Sequence, residues 1–223
     1  RRTHAGVAAG AFLGTAVLVG ALVVGDSVQH SLVSLTRARL GRVAFALPAS
    51  DRFFQADIAG RVDSGFEGGA AAVLQLRAVA VTPDGGRRVN RLQAFGVDDA
   101  FWGLAPGGRG PRRRPGAGEA VINRVCAERL AVDVGDSFVL RVAKPGLVPA
   151  DVPLADRDMR MVARRVSVVH VATPGEFGQF SLSATQTPPP GVFVSRKWLG
   201  AVAGVDRKAN VLLAGGSAKV RTE

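Results

Sequence analysis

The sequence predicts an α+β domain behind a single N-terminal transmembrane helix. Three observations predict it: an uncharged run from Ala5 to Gly25, a switch from helical to alternating periodicity beyond Gly41, and strand-like and helix-like segments that follow without strict alternation.

The run His4-Ala-Gly-Val-Ala-Ala-Gly-Ala-Phe-Leu-Gly-Thr-Ala-Val-Leu-Val-Gly-Ala-Leu-Val-Val-Gly25 carries Thr15 as its only strongly polar side chain after His4. Residues 5–25 cover about 30 Å at about 1.5 Å per residue, the thickness of the hydrocarbon core of a bilayer. A cleaved signal peptide is the main rival, but its apolar core is shorter, and no clear Ala-x-Ala site precedes Asp26. A soluble core helix rarely stays apolar on every face for so long. Gly6, Gly10 and Gly14 fall four apart, with Ala21 and Gly25 near the same stripe, as a face for close approach of another membrane helix would require. The abundance of Gly and Ala throughout the chain is the alternative source of that stripe. Arg1 and Arg2 flank one end and Arg37, Arg39 and Arg42 the other, so charge alone gives no orientation. Residues 1–4 read as a cytoplasmic flank, and a start on Arg implies further residues upstream.

From Asp26 to Leu40, Val28, Leu32 and Leu35 recur at helical spacing, and Gly41 is a natural stop. Residues 26–41 therefore read as a helical stalk. A continuous helix from Ala5 to Leu40 measures about 54 Å and projects about 24 Å past the bilayer, as a strut or as a plain spacer.

The domain, residues 42–223, begins with a strand at Val43–Leu47 and a helix from Asp51 to Val62 capped by Ser50 or Asp51. Ala71–Thr82 and Arg88–Phe95 are strands joined by Pro83-Asp-Gly-Gly86, a hairpin turn. One or two helical turns follow within Val97–Leu104. Gly103 to Gly118, with the run Arg112-Arg113-Arg114, reads as an exposed, solvated loop. Glu119–Ile122 is strand-like, Asn123 caps a helix running to Leu130, and Val134-Gly-Asp136 turns into a strand at Ser137–Val142. Arg160–Ala172 is a long strand; Pro188–Pro190 lie in a loop. Val192–Val194, a helix from Arg196 to about Ala203 and the strand Asn210–Leu213 close the series.

The net charge of +11 raises the question of nucleic acid, but arginine outnumbers lysine 25 to 4, Tyr is absent, and no aromatic residues interleave with the basic ones. Nucleic acid is therefore not an expected partner. Cys126 is the only cysteine, which rules out an internal disulfide, and its apolar neighbours make it a buried small hydrophobe. His4, His30 and His170 have no metal-ligand spacing. Gly107-Gly-Arg-Gly110 lacks the spacing and the Lys-Ser/Thr of a Walker loop, and no Gly-x-Ser-x-Gly elbow occurs. Asp98-Asp99 and Asp156-Arg-Asp158 read as solvated or capping carboxylates. The sequence thus offers no catalytic, cofactor-binding or metal residue and is not expected to be an enzyme.

Three stretches resemble ABC transporter permeases of the MacB/FtsX type. Gly14–Val28 running into Leu32–Leu40 is similar to the family's first transmembrane helix and stalk. Glu119-Ala-Val-Ile-Asn-Arg-Val-Cys-Ala-Glu-Arg-Leu-Ala-Val-Asp-Val-Gly-Asp-Ser-Phe-Val-Leu-Arg-Val142 resembles the strand–helix–Gly-Asp–strand unit of the MacB-like periplasmic core domain. Val192-Phe-Val-Ser-Arg-Lys-Trp-Leu199 with Ala209–Leu213 is like its later strand–helix–strand. In the unit's turn, Gly135 permits a left-handed conformation and Asp136 is placed to bond the backbone beyond it.

The resemblance implies a domain between the first and second of four membrane helices, outside the cytoplasmic membrane. It also implies ATP hydrolysis by a separate or fused ATP-binding subunit, and partner helices including a permease dimer. Three expected membrane helices and a cytoplasmic coupling helix are absent from this sequence, so a truncated chain is expected. A single-pass membrane-anchored binding or scaffold protein is the alternative.

Overall fold

The computed structural model describes residues 2–49, 52–145, 161–183, 185 and 187–216, apart from the side chains of residues 2–5 and 7–9. Contacts divide the chain into two units, Arg1–Ala38 and Arg39–Glu223.

The first unit is almost all of one helix, α1 (Arg2–Leu40), whose 39 residues span about 58 Å. Thr15, Ser31 and Thr36 return their hydroxyls to the carbonyls of Ala11, Ser27 and Leu32, so their polar atoms are met within the helix. Phe12, Leu13, Val17, Leu18, Leu22 and Val24 are all exposed, and they point in every direction around the axis. Gly10–Leu40 is long and apolar enough to cross a membrane.

The second unit opens with β1 (Val43–Pro48), followed by β2 (Phe54–Gln55), α2 (Ile58–Val62) and a short 3₁₀ turn, Asp63–Gly65. The expected helix from residue 51 is thus a single turn and a half. Phe54 is drawn instead into a two-stranded ribbon against β9 (Lys208–Ala209), with Phe54 opposite Ala209. Ser50 and Asp51, the expected caps, lie outside the described residues; Asp57 holds the N-cap position.

β3 (Ala70–Val81) and β4 (Arg88–Val97) form the expected hairpin. Its turn is held by Thr82, whose backbone N–H donates to Arg87 O at 3.0 Å and whose Oγ1 accepts from Arg87 N at 3.0 Å. α3 (Asp99–Gly103), β5 (Glu119–Asn123), α4 (Arg124–Leu130), β6 (Ser137–Ala143), β7 (Met161–Ala172), β8 (Gly191–Ser195), α5 (Arg196–Ala203) and β10 (Val211–Gly215) complete the domain. Arg160, the expected start of the seventh strand, and the Asp156/Asp158 pair lie outside the described residues.

The ladders run β3–β4–β8–β5–β7–β6, and β6 then pairs back onto β3, closing a ring of six strands. β4 with β8 and β5 with β7 are parallel; the other pairs are antiparallel. β10 and β1 extend the sheet from the first half of β3. Two such parallel pairs among antiparallel ones make the fold α+β, as the sequence predicts.

The period of two along each strand sorts the core. Leu74, Leu76, Leu92, Ile122, Phe138, Leu140, Val192 and Val194 face one side, where Cys126 and Leu130 of α4 and Leu199 and Ala203 of α5 pack on them. Gly96 allows this approach, since a Cβ there would stand 3.1 Å from the backbone of Arg196. Phe95, Val121 and Phe193 face the other side and meet Phe101 and Trp102 of α3 with Phe177 and Phe180. Their rings interlock, Phe95 stacked on Phe193 at 5.2 Å and Phe101 tilted on Phe177 at 4.7 Å.

Asn123 joins three of these elements. It is buried; its Oδ1 accepts from Cys126 N at 2.9 Å, capping α4 as expected, and from Gly191 N at 3.1 Å, while its Nδ2 donates to Pro189 O at 2.8 Å. Cys126 is fully buried as well, and burial pushes its thiol up to about 12 despite the neighbouring Arg129. Asn123→Ala removes the cap and strands two buried backbone groups. It is expected to cost about 2–4 kcal/mol in urea unfolding, with an unchanged denaturant slope.

Candidate functional site

At the start of the domain, residues 39–42 make contacts with Thr185, the aromatic cluster and the residues that follow α3. Arg39 is buried, and its Nη1 donates to the carbonyl of Thr185. Leu40 packs against the aromatic cluster. Gly41 then ends the helix at φ +57°, and a Cβ at this position would lie 2.7 Å from both Leu104 O and Pro106 N. Only glycine meets both demands, left-handed backbone and contact with another chain segment. Arg42 N donates to Leu104 O at 2.9 Å, and its Nη1 reaches Gly103 O at 3.4 Å.

From this corner the contacts continue inward. Leu104 ends α3, whose N-cap is Asp98; the Asp98 carboxylate accepts from Phe101 N at 3.4 Å. Its Oδ2 also accepts from Arg196 Nη2 at 3.0 Å and Nε at 3.3 Å, a forked ion pair with a largely buried arginine. Arg196 is the first residue of α5 and lines a cleft of about 670 Å³ with Lys197, Gln55, Asp57, Asp206 and Arg207. Arg207 sits at φ +58° there, and its carbonyl accepts from Ala56 N at 2.8 Å. A contiguous route of hydrogen bonds and packing thus joins the entry, α3, α5 and the cleft.

The expected carboxylate pair divides its work. Asp98 is the cap and partner just described, whereas exposed Asp99 accepts from Arg114 Nε at 3.1 Å. The Gly103–Gly118 loop is largely exposed, as expected, but is anchored at two points. Arg112, Arg113 and Arg114 are exposed, but Pro111 and Pro115 are buried, and the Arg114 guanidinium lies 5.6 Å from the Trp102 ring centre. Glu119 fastens the loop's end, accepting from Gly116 N at 3.0 Å and from Arg113 at 2.6 Å, which together hold its carboxyl below its ordinary range.

In the strand–helix–turn–strand unit, Gly135 is left-handed as expected, at φ +102°. Asp136 differs: its Oδ2 accepts from Asp133 N at 2.8 Å, upstream of it rather than beyond. The turn curls back because Gly135 N and Val168 N are engaged across it, with Val168 O and Asp136 O.

His170 is a satisfied histidine, its Nε2 2.9 Å from Glu176 Oε2. The same oxygen accepts from Thr173 N and Thr173 Oγ1, each at 2.9 Å, capping the 3₁₀ turn Pro174–Glu176. Burial raises the Glu176 carboxyl, but the hydrogen bonds from His170 and Thr173 outweigh it and leave the value below 4.5. Among the described residues no three His, Cys, Asp or Glu side chains gather as metal ligands. The entry corner and the Asp98–Arg196 pair escaped the sequence reading; Gly41 was the one signal of the corner, read there only as a helix stop.

Gly41→Ala is expected to destabilise the domain by about 1–3 kcal/mol, from the left-handed backbone and the overlap with Leu104 and Pro106, measured by chemical denaturation of the full chain. For Glu176, a folded value below the unfolded 4.5 means stability that is present above pH 4.5 and lost as pH falls through the folded value. Glu176→Gln should therefore flatten the acid side of a stability–pH profile below about pH 5.

No family model matches the chain, and no curated protein matches it by sequence. Among solved structures, the chain is similar to the extracellular domain of the noncanonic ABC-type transporter YknZ from Gram-positive bacteria, at 12% identity and a TM-score of 0.44, over 78% of this chain and 82% of that one. It is also similar to the periplasmic region of MacB from Actinobacillus actinomycetemcomitans, at 8% identity and a TM-score of 0.49, over 86% of this chain and 82% of that one.

Proposed function

We propose that the chain supplies the first membrane helix and the extracytoplasmic domain of a MacB/FtsX-type ABC transporter permease in the cytoplasmic membrane. In this reading residues 1–4 are cytoplasmic, 5–25 span the bilayer, 26–41 form the stalk and 42–223 form the outer domain. The subunit is non-catalytic. It couples ATP hydrolysis by a cytoplasmic ATP-binding subunit to export or envelope remodelling outside, with membrane lipid and further transmembrane helices, including a second permease copy, as its other partners. Nucleic acid is not among them.

The observation that carries this reading is the pairing, in one chain, of the 31-residue helix segment Gly10–Leu40, long and apolar enough to cross a membrane, with a mixed α/β domain. The Glu119–Val142 unit adds the family resemblance, with its cap at Asn123 and its turn at Gly135 formed.

The test is co-purification of the full-length protein with its ATP-binding subunit in mild detergent, where stoichiometric co-elution is expected. Elution alone under several stabilising conditions would reject the permease reading. A mature N-terminus near Asp26 would reject the membrane anchor itself.

A further inference from the structure

We infer that the outer face of β3, β6 and β7 is a docking surface for an acidic protein segment, read by Arg77, Arg141 and Arg165. This goes beyond the permease reading and does not depend on it. The registers place the three arginines. Val79 lies opposite Arg141, Arg141 opposite Ala163, and Val139 opposite Arg165. Residues directly opposite share a face, as do residues two apart on one strand. Arg77, Arg141 and Arg165 therefore stand on one face as a diagonal stripe across three adjacent strands. It is the face away from the core, because Ala78, Ala80, Leu140, Val142 and Val166 point inward.

All three arginines are exposed, and among the described residues none is in an ion pair or hydrogen bond. β3, β4, β6 and β7 contain no Asp or Glu at all. Half-buried Val79 and Val139 lie between the guanidiniums, so the stripe alternates apolar patches with cations.

Charge complementarity selects an anionic occupant, and the spacing selects its form. Successive arginines along the diagonal are about 7–8 Å apart. Side chains two residues apart in an extended peptide are separated by about 7 Å on one side. A segment with acidic residues at alternate positions thus meets the guanidiniums in register, each offering a planar fork to a carboxylate. A lipid surface has no such register to match.

The test uses the full-length chain in detergent micelles and a fluorescein-labelled decapeptide of alternating Glu and Val, read by anisotropy. The variant R77Q/R141Q/R165Q is expected to weaken binding about tenfold or more, while R109Q/R112Q/R124Q, which removes the same charge elsewhere, weakens it less than about threefold. Should the first triple variant fail to fold, R141Q at the centre of the stripe is expected to give about a threefold loss by itself. Equal losses from the two triple variants would mean bulk charge alone and overturn the inference. So would absence of peptide binding. Binding to phosphatidylglycerol vesicles that depends on the stripe, with no dependence for the peptide, would overturn it in favour of lipid.

Discussion

The pairing of β6 back onto β3 is the constraint on which the rest of the domain depends. Ala78 opposite Val142 and Val81 opposite Val139 close the ladder, and every strand of the ring then has neighbours on both edges. Closure also fixes parity. A slip of one residue at this seam would turn Leu140 and Val142 outward and bring Arg141 into the core, where an unpaired guanidinium is prohibitively costly. The seam therefore sets which face carries α4 and α5 and which face is left for α3 and the aromatic cluster.

That division explains how two small helices and one short turn organise the molecule. α5 lies close on β4 because Gly96 has no side chain, and this places Arg196 within reach of Asp98. The ion pair crosses from one side of the sheet's end to the other and ties the two clusters together. It is partly exposed, so its direct contribution to stability is modest. Its geometric effect is larger, because Asp98 also caps α3, and α3 presents Leu104 to the backbone around Gly41. One carboxylate thereby holds both the start of α3 and the first residue of α5.

Much of the local structure was legible in the sequence because it rests on nearest-neighbour chemistry. The long helix ending at Gly41, the hairpin over Pro83–Gly86, the Asn123 cap and the limits of α5 each follow from residues within a few positions of one another. The α5 boundaries are Arg196 and Ala203 in both readings. What was not legible is long-range. Ring closure joins residues some sixty positions apart, and the Asp98–Arg196 pair spans 98 positions, so no local pattern announces either. Phe54 shows the competition directly: its neighbourhood suits a helix, but pairing with Ala209 wins. The Gly103–Gly118 loop shows the same limit, since composition reports its exposure and does not register the burial of Pro111 and Pro115 or the Arg114 guanidinium over Trp102.

The same dependence holds at the start of the domain. Gly41 is left-handed, a Cβ there would stand 2.7 Å from Leu104 O and Pro106 N, and Arg42 N is bonded to Leu104 O. α3 cannot move far without disturbing either the interlocked rings of Phe101 and Trp102 or the Asp98–Arg196 fork, and packed rings resist gradual deformation. The route ends at the cleft beside α5, where Arg207 holds a left-handed backbone and its carbonyl accepts from Ala56 N. Within the domain, the contacts of Gly41, α3 and α5 are thus mutually dependent, each holding the next in place.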